Sequence, residues 1–190
     1  MSEKGTLMVF SGPAGTGKDT VLECFAAKKM KGVWKSVSYT TRQPRENEKD
    51  GIDYHFITRE EFERLIKDGA MLEYAKYGLN YYGTPKAPVD EHLKNGDTVI
   101  LKIEVQGARQ IKALYPDAVG VFVLPPSLEV LEKRLRGRGS ETDEDVIRRL
   151  SIAKKELEYS VNYEYRIVND DLDDAVNDLY SIVRSLQLKQ

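Results

Sequence analysis

The chain has 190 residues, 41% hydrophobic and 32% charged, which fits a soluble globular core with room for small inserted subdomains. Its 29 basic and 31 acidic residues leave a formal net charge of -2, so nothing global draws it to nucleic acid or an anionic membrane, and any anion site must be local. One cysteine, Cys24, excludes an internal disulfide and a cysteine-rich zinc site, and no apolar run nears the roughly 20 residues that span a bilayer.

Met1 to Gly5 carry no apolar signal region, so a cytoplasmic location is expected. Thr6 to Phe10 reads as a buried strand. It runs into Ser11-Gly12-Pro13-Ala14-Gly15-Thr16-Gly17-Lys18-Asp19-Thr20, which holds a complete G-x-x-x-x-G-K core from Gly12 to Lys18. Glycines let backbone N–H groups turn inward on an anion, the following helix adds its positive end, and Lys18 adds a full charge. A nucleoside triphosphate is the expected ligand. The helical pattern after it covers Thr20 to Lys29, and Cys24 is expected there as a buried thiol. Asp19 stands where many P-loop proteins carry the Ser or Thr that binds magnesium.

Segment 37–84 is rich in tyrosine, glycine and charge, and reads as a small β-rich insertion. Asp53–Ile57 and Met71–Tyr77 look like antiparallel strands around a short helix at 59–67. Further buried strands follow at Thr98–Ile103, Val119–Leu124 and Tyr165–Val168, alternating with helical stretches near 106–114, 127–136, 143–160 and 171–187. That alternation predicts an α/β fold with a parallel, doubly wound sheet in three layers. A second, smaller insertion runs from Arg134 to Glu144, where glycines among arginines predict a mobile basic loop.

Arg42 and Arg45, three apart beside hydroxyl residues, can hold a second phosphate by bidentate hydrogen bonds. Tyr54, Tyr81 and Tyr82 can add phenolic donors. Arg134, Arg138, Arg148 and Arg149 form a third constellation, suited to the charge that spreads over a transferring phosphoryl group. Taken alone, the arginine pair fits a solvated loop and the cluster a solvated helix face.

Together these stretches resemble the guanylate kinase family. The matching motifs are Ser11–Lys18, Ser38-Tyr39-Thr40-Thr41-Arg42-Gln43-Pro44-Arg45, Gly51–Phe56, Asn80–Thr84, Glu104–Gly107, Arg134–Gly139 and Ile167–Asp170, spread over nearly the whole chain. The resemblance implies transfer of phosphate from ATP to GMP with Mg2+, by a monomer or homodimer. It implies a core of residues 1–36, 86–132 and 157–190, a GMP-binding insertion at 37–85 and a lid at 133–156. It assigns Arg42, Arg45, Tyr54 and Tyr82 to the GMP phosphate, and Ser38, Glu73 and Thr84 to guanine. It assigns Lys18 and the loop from Gly12 to Thr20 to the ATP phosphates, and Arg134, Arg138 and Arg149 to the transferring group. Asn169 falls near the adenine pocket, and Glu104 near magnesium through water.

One position departs from the family pattern of two acids before Gln106. Glu104 keeps the second, but Lys102 replaces the first. Lys102 is expected to pair with Glu104, since residues two apart in a strand share a face, or with an acid of the insertion. The lysine leaves open an acceptor other than GMP. A peptide-binding module of guanylate-kinase-like fold is the reading from another class, and the intact Gly12–Lys18 loop argues against it. His55, His92 and Trp34 are expected in ordinary packing positions.

Overall fold

The computed structural model describes residues 4–137 and 142–189. Leu7–Ser11, five buried residues in a row, form β1 at the centre of the main sheet. In chain order there follow α1 (Lys18–Ala27), β2 (Val33–Lys35), β3 (Tyr39–Thr40), β4 (His55–Phe56), α2 (Arg59–Lys67), β5 (Met71–Tyr77), β6 (Asn80–Pro85) and α3 (Lys86–Lys94). Then come β7 (Thr98–Lys102), α4 (Val105–Leu114), β8 (Val119–Leu124), α5 (Leu128–Arg136), α6 (Asp143–Tyr159), β9 (Tyr165–Val168) and α7 (Leu172–Gln187). The main sheet has five parallel strands in the order β2-β7-β1-β8-β9.

Alternation along β1 divides its side chains between two cores. Met8 and Phe10 join Ile100 and Val121 against Val21, Leu22 and Phe25 of α1 and Val176, Leu179 and Val183 of α7. Leu7 and Val9 join Val99 and Leu101 against Val89 and Leu93 of α3 and Ala108 and Ile111 of α4. Helices therefore cover both faces, and the expected three-layer α/β fold is the one observed. With both faces covered, the strands read as continuous apolar runs. A third cluster, Leu131, Leu135, Val146 and Ala153, joins α5 to α6.

Residues 39–85 hold a second sheet, in the order β4-β3-β6-β5. Its strands pair differently from expectation. β5 is antiparallel to β6, but β4 runs parallel to β3 and does not touch β5. The helix between β4 and β5 is present as α2, started by a capping box of Thr58 and Glu61. Three other helices begin where a side chain caps them: Ser127 for α5, Thr142 for α6 and Asp171 for α7.

Helix α1 starts at Lys18, two residues earlier than its pattern, and ends before Lys29, which takes a positive φ of 49°. Cys24 is exposed, not buried. The face of α1 that meets the core is set by Val21, Leu22 and Phe25, and position 24 falls off that stripe. Trp34 stacks on His92 at 4.1 Å, and His92 Nδ1 lies 2.6 Å from Asp97 Oδ2. Among the described residues no helix is long and apolar enough to cross a membrane.

Candidate active site

β1 delivers the chain into the loop at the carboxyl end of the sheet, the edge where ligands bind in open α/β folds. The loop is held by its own bonds. Thr16, fully buried, donates from its backbone N–H at 3.3 Å and from Oγ1 at 2.9 Å to the Pro13 carbonyl. Gly17 caps α1 with a φ of 81°, and a Cβ there would lie 2.4 Å from Asn169 Nδ2. Glycine is thus required both by the left-handed backbone and by the close approach of Asn169. Asn169, at the end of β9, donates from Nδ2 to the Thr16 carbonyl at 2.7 Å. Its own carbonyl accepts from Arg134 Nη2 at 3.0 Å. Arg134 Nη1 is buried without a partner among the described residues.

Lys18 is the first residue of α1, half-buried, and Thr20 is exposed. Asp19 Oδ1 accepts from Lys102 Nζ at 2.7 Å. Lys102 therefore pairs neither with Glu104 nor with an acid of the insertion, contrary to expectation. β7 ends at Lys102, and Glu104 is already the N-cap of α4, so the strand alternation that would bring the two together has stopped. Lys102 is paired in register with Phe10, which sets it beside the root of the loop.

Next to the second sheet, Arg42 makes a bidentate pair with Glu48: Nη1 to Oε2 at 2.7 Å and Nη2 to Oε1 at 2.8 Å. That pair drives the guanidinium pKa up and holds the Glu48 carboxyl below its usual range. Glu48 Oε2 also accepts from the Arg45 backbone N–H at 2.8 Å. The Arg42 guanidinium lies over the Tyr54 ring at 5.4 Å, and Tyr54 meets Tyr82 edge-on at 6.0 Å. Arg42, Tyr54 and Tyr82 are therefore brought together, and Arg45 is exposed.

Glu73 on β5 and Thr84 on β6 are cross-strand partners. Both are buried, and Thr84 Oγ1 donates to Glu73 Oε1 at 2.7 Å. Burial pushes the Glu73 carboxyl up to about 6, while hydrogen bonds from Thr84 oppose the rise. Ser38 precedes β3, half-buried, and its carbonyl accepts from the His55 N–H at 2.8 Å.

Sequence reasoning missed Glu156 of α6. Burial and the charge of Glu104 push its carboxyl up to about 7, against the opposing pull of Lys18. The signal was available, because Glu156 follows Arg149 by two helical turns and shares its side of the helix. Arg149 is half-buried on α6, and Arg138 lies outside the described residues. Glu48 was missed as well. It lies in a turn without periodicity, and its partner is fixed only by the fold. Among the described residues no group of three or more His, Cys, Asp or Glu side chains is placed to hold a metal ion.

Comparison with known proteins identifies the family. A family model described as guanylate kinase matches residues 4–186. The chain is 47% identical over 182 residues to a guanylate kinase of Synechocystis sp., covering 96% of this chain and 95% of that protein. It is 49% identical over 183 residues to one of Clostridium acetobutylicum, covering 96% of this chain and 87% of the other. The crystal structure of guanylate kinase from Anaplasma phagocytophilum superimposes with a TM-score of 0.79 at 33% identity, covering 98% of this chain and 88% of that one. These matches over nearly the whole chain make it an ATP-dependent kinase of GMP, and it belongs to the guanylate kinase family.

Proposed function

We propose that the chain carries out in-line transfer of the γ-phosphoryl of ATP to GMP, and to dGMP as well, without a covalent enzyme intermediate. The observation that carries this reading is the buried Glu73–Thr84 pair. Guanine offers N1–H and N2–H side by side, and a carboxylate accepts both. Adenine presents a lone pair at N1, and a buried polar mismatch costs roughly 1–3 kcal/mol. Ser38 donates to O6 beside them. Arg42, Arg45, Tyr54 and Tyr82 take the GMP phosphate. Lys18 and the backbone N–H groups between Gly12 and Thr20 take the ATP phosphates, and Asn169 borders the adenine. Arg134, Arg138 and Arg149 stabilise the charge that develops on the transferring group.

Residues 37–85 act as a GMP-binding insertion and 133–156 as a lid over the core. Closing both excludes the water that would otherwise hydrolyse ATP. Mg2+ fits this donor set as a guest of phosphates and water, because it dehydrates reluctantly and needs only one or two carboxylates. Glu104 would hold it through a water, and the ion would neutralise charge on the β- and γ-phosphates.

The test is ADP release with GMP, dGMP, AMP, CMP and UMP as acceptors. GMP and dGMP are expected to turn over and the others to fail. Lys18→Ala is expected to lower turnover at least about a hundredfold. Near-normal turnover in that variant, or equal turnover of AMP, overturns the reading.

A further inference from the structure

Lys102 and Arg42 approach one aromatic ring from different parts of the fold. Lys102 Nζ lies 5.5 Å and the Arg42 guanidinium 5.4 Å from the Tyr54 ring centre. Lys102 ends a strand of the main sheet, whereas Arg42 and Tyr54 belong to the insertion. Each cation is held by its own carboxylate, Asp19 at 2.7 Å and Glu48 at 2.7 Å. The Lys102 side chain is only 21% exposed and Asp19 52%. A withdrawn ammonium is therefore anchored by a carboxylate that reaches in from the start of α1.

We propose that Lys102 is a ligand of the acceptor's phosphate, supplied by the core sheet, and that Asp19 is the residue that positions it. The idea rests on the assignment of Arg42, Tyr54 and Tyr82 to that phosphate. An ammonium has three donor hydrogens. Asp19 takes one, and a phosphate dianion at the Tyr54 hydroxyl can take another. Both cations on this ring are already paired with carboxylates, and a dianion placed between them can draw on both at once. Burial works most strongly on the Lys102 charge and lowers the pKa, but Asp19, Tyr54 and Glu23 together outweigh it and the pKa is raised. The group is thus a fixed cation at neutral pH. Lys35 is a second amine nearby; burial and the Lys102 charge lower its pKa, so it is the weaker cation of the two. The phosphate would then bridge core and insertion, and binding it would draw the two together.

The test uses the full chain, with KM for GMP at saturating ATP, KM for ATP at saturating GMP, and the melting temperature. Lys102→Met is expected to raise KM for GMP about tenfold and to leave KM for ATP within about twofold, as loss of one charge-assisted bond predicts. Lys102→Arg is expected to recover most of the loss. Asp19→Ala, at an exposed site that does not threaten folding, is expected to raise KM for GMP about threefold through lost positioning. In the double variant that added effect vanishes, because the residue being positioned is gone. The proposal is overturned if Lys102→Met leaves KM for GMP unchanged. It is also overturned if both KM values rise alike with a fallen melting temperature, which marks a structural strut, or if Asp19→Ala is silent. Arg42→Ala separates the two levels. If it too leaves GMP binding intact, the acceptor-site assignment fails; if it abolishes binding while Lys102→Met is silent, only the role of Lys102 fails.

Discussion

Gly107 of α4 and Glu73 of β5 meet so closely that a methyl group on Gly107 would lie 2.5 Å from Glu73 Oε2. The carboxylate cannot retreat freely, because Thr84 holds its other oxygen and the side chain is buried. Gly107→Ala is expected to raise KM for GMP about tenfold, with KM for ATP within about twofold, as overpacking of a fixed group costs roughly 1–3 kcal/mol. Alanine favours a helix over glycine by about 1 kcal/mol, so the melting temperature should move little. Loss confined to stability, with GMP kinetics intact, would contradict a role for the Glu73 carboxylate in holding GMP.

With Glu73 in its proposed role, its raised carboxyl pKa is expected to make GMP recognition depend on pH. Its pKa stands at about 6 against an ordinary 4.5, so the folded protein binds an extra proton between those values. Its contribution to stability therefore falls as pH rises from about 4.5 to about 6, and levels off above. Base recognition runs the other way, since only the ionised form accepts two donors. KM for GMP is expected to climb as pH falls below about 6. The GMP phosphate also titrates near 6, so the comparison is with Glu73→Gln. That variant should bind GMP more weakly throughout and keep only the phosphate's share of the pH profile. Identical profiles in both proteins would rule out Glu73 as the titrating group.

Arg42 carries two charge-assisted bonds that a phosphate can also accept. Arg42→Ala is expected to lower kcat/KM for GMP on the order of a hundredfold. Arg42→Lys should recover only part, because an ammonium has no fork. ATP binding measured alone, by titration calorimetry, should be unchanged in both.

Asn169 is expected to matter through the loop it braces. In Asn169→Ala the Thr16 carbonyl loses its side-chain donor, at a cost of roughly 1–3 kcal/mol. The variant should melt earlier and bind ATP more weakly, while KM for GMP holds. Chemical denaturation and nucleotide titration together check it. A variant with normal stability but lost adenine selectivity would instead mark a ligand of the base.

How much was legible follows from range. The loop from Gly12 to Lys18 was readable because glycine, lysine and the flanking strand and helix are all local. The main strands were readable because burial on both faces leaves unbroken apolar runs such as Val119–Leu124. Helices α5 and α7 began one residue late because Ser127 and Asp171 serve as caps and not as first turns. The pairing of β4 was lost because two residues, His55–Phe56, carry no period. Helix α3 was missed because Pro88 and a short amphipathic pattern hid it. The partner of Lys102 was out of reach. Asp19 lies 83 residues away, and only the register of β7 on β1 brings them together.

The contact between Asn169 and Thr16 spans 153 residues. β1, made early, is flanked by β7 and β8, made much later, and its loop is braced from beyond β9. A chain emerging from the ribosome therefore presents its phosphate motif long before the residue that braces it, 153 residues further on. Fragments ending before β9 should lack the finished loop, and long-range closure of this kind slows folding.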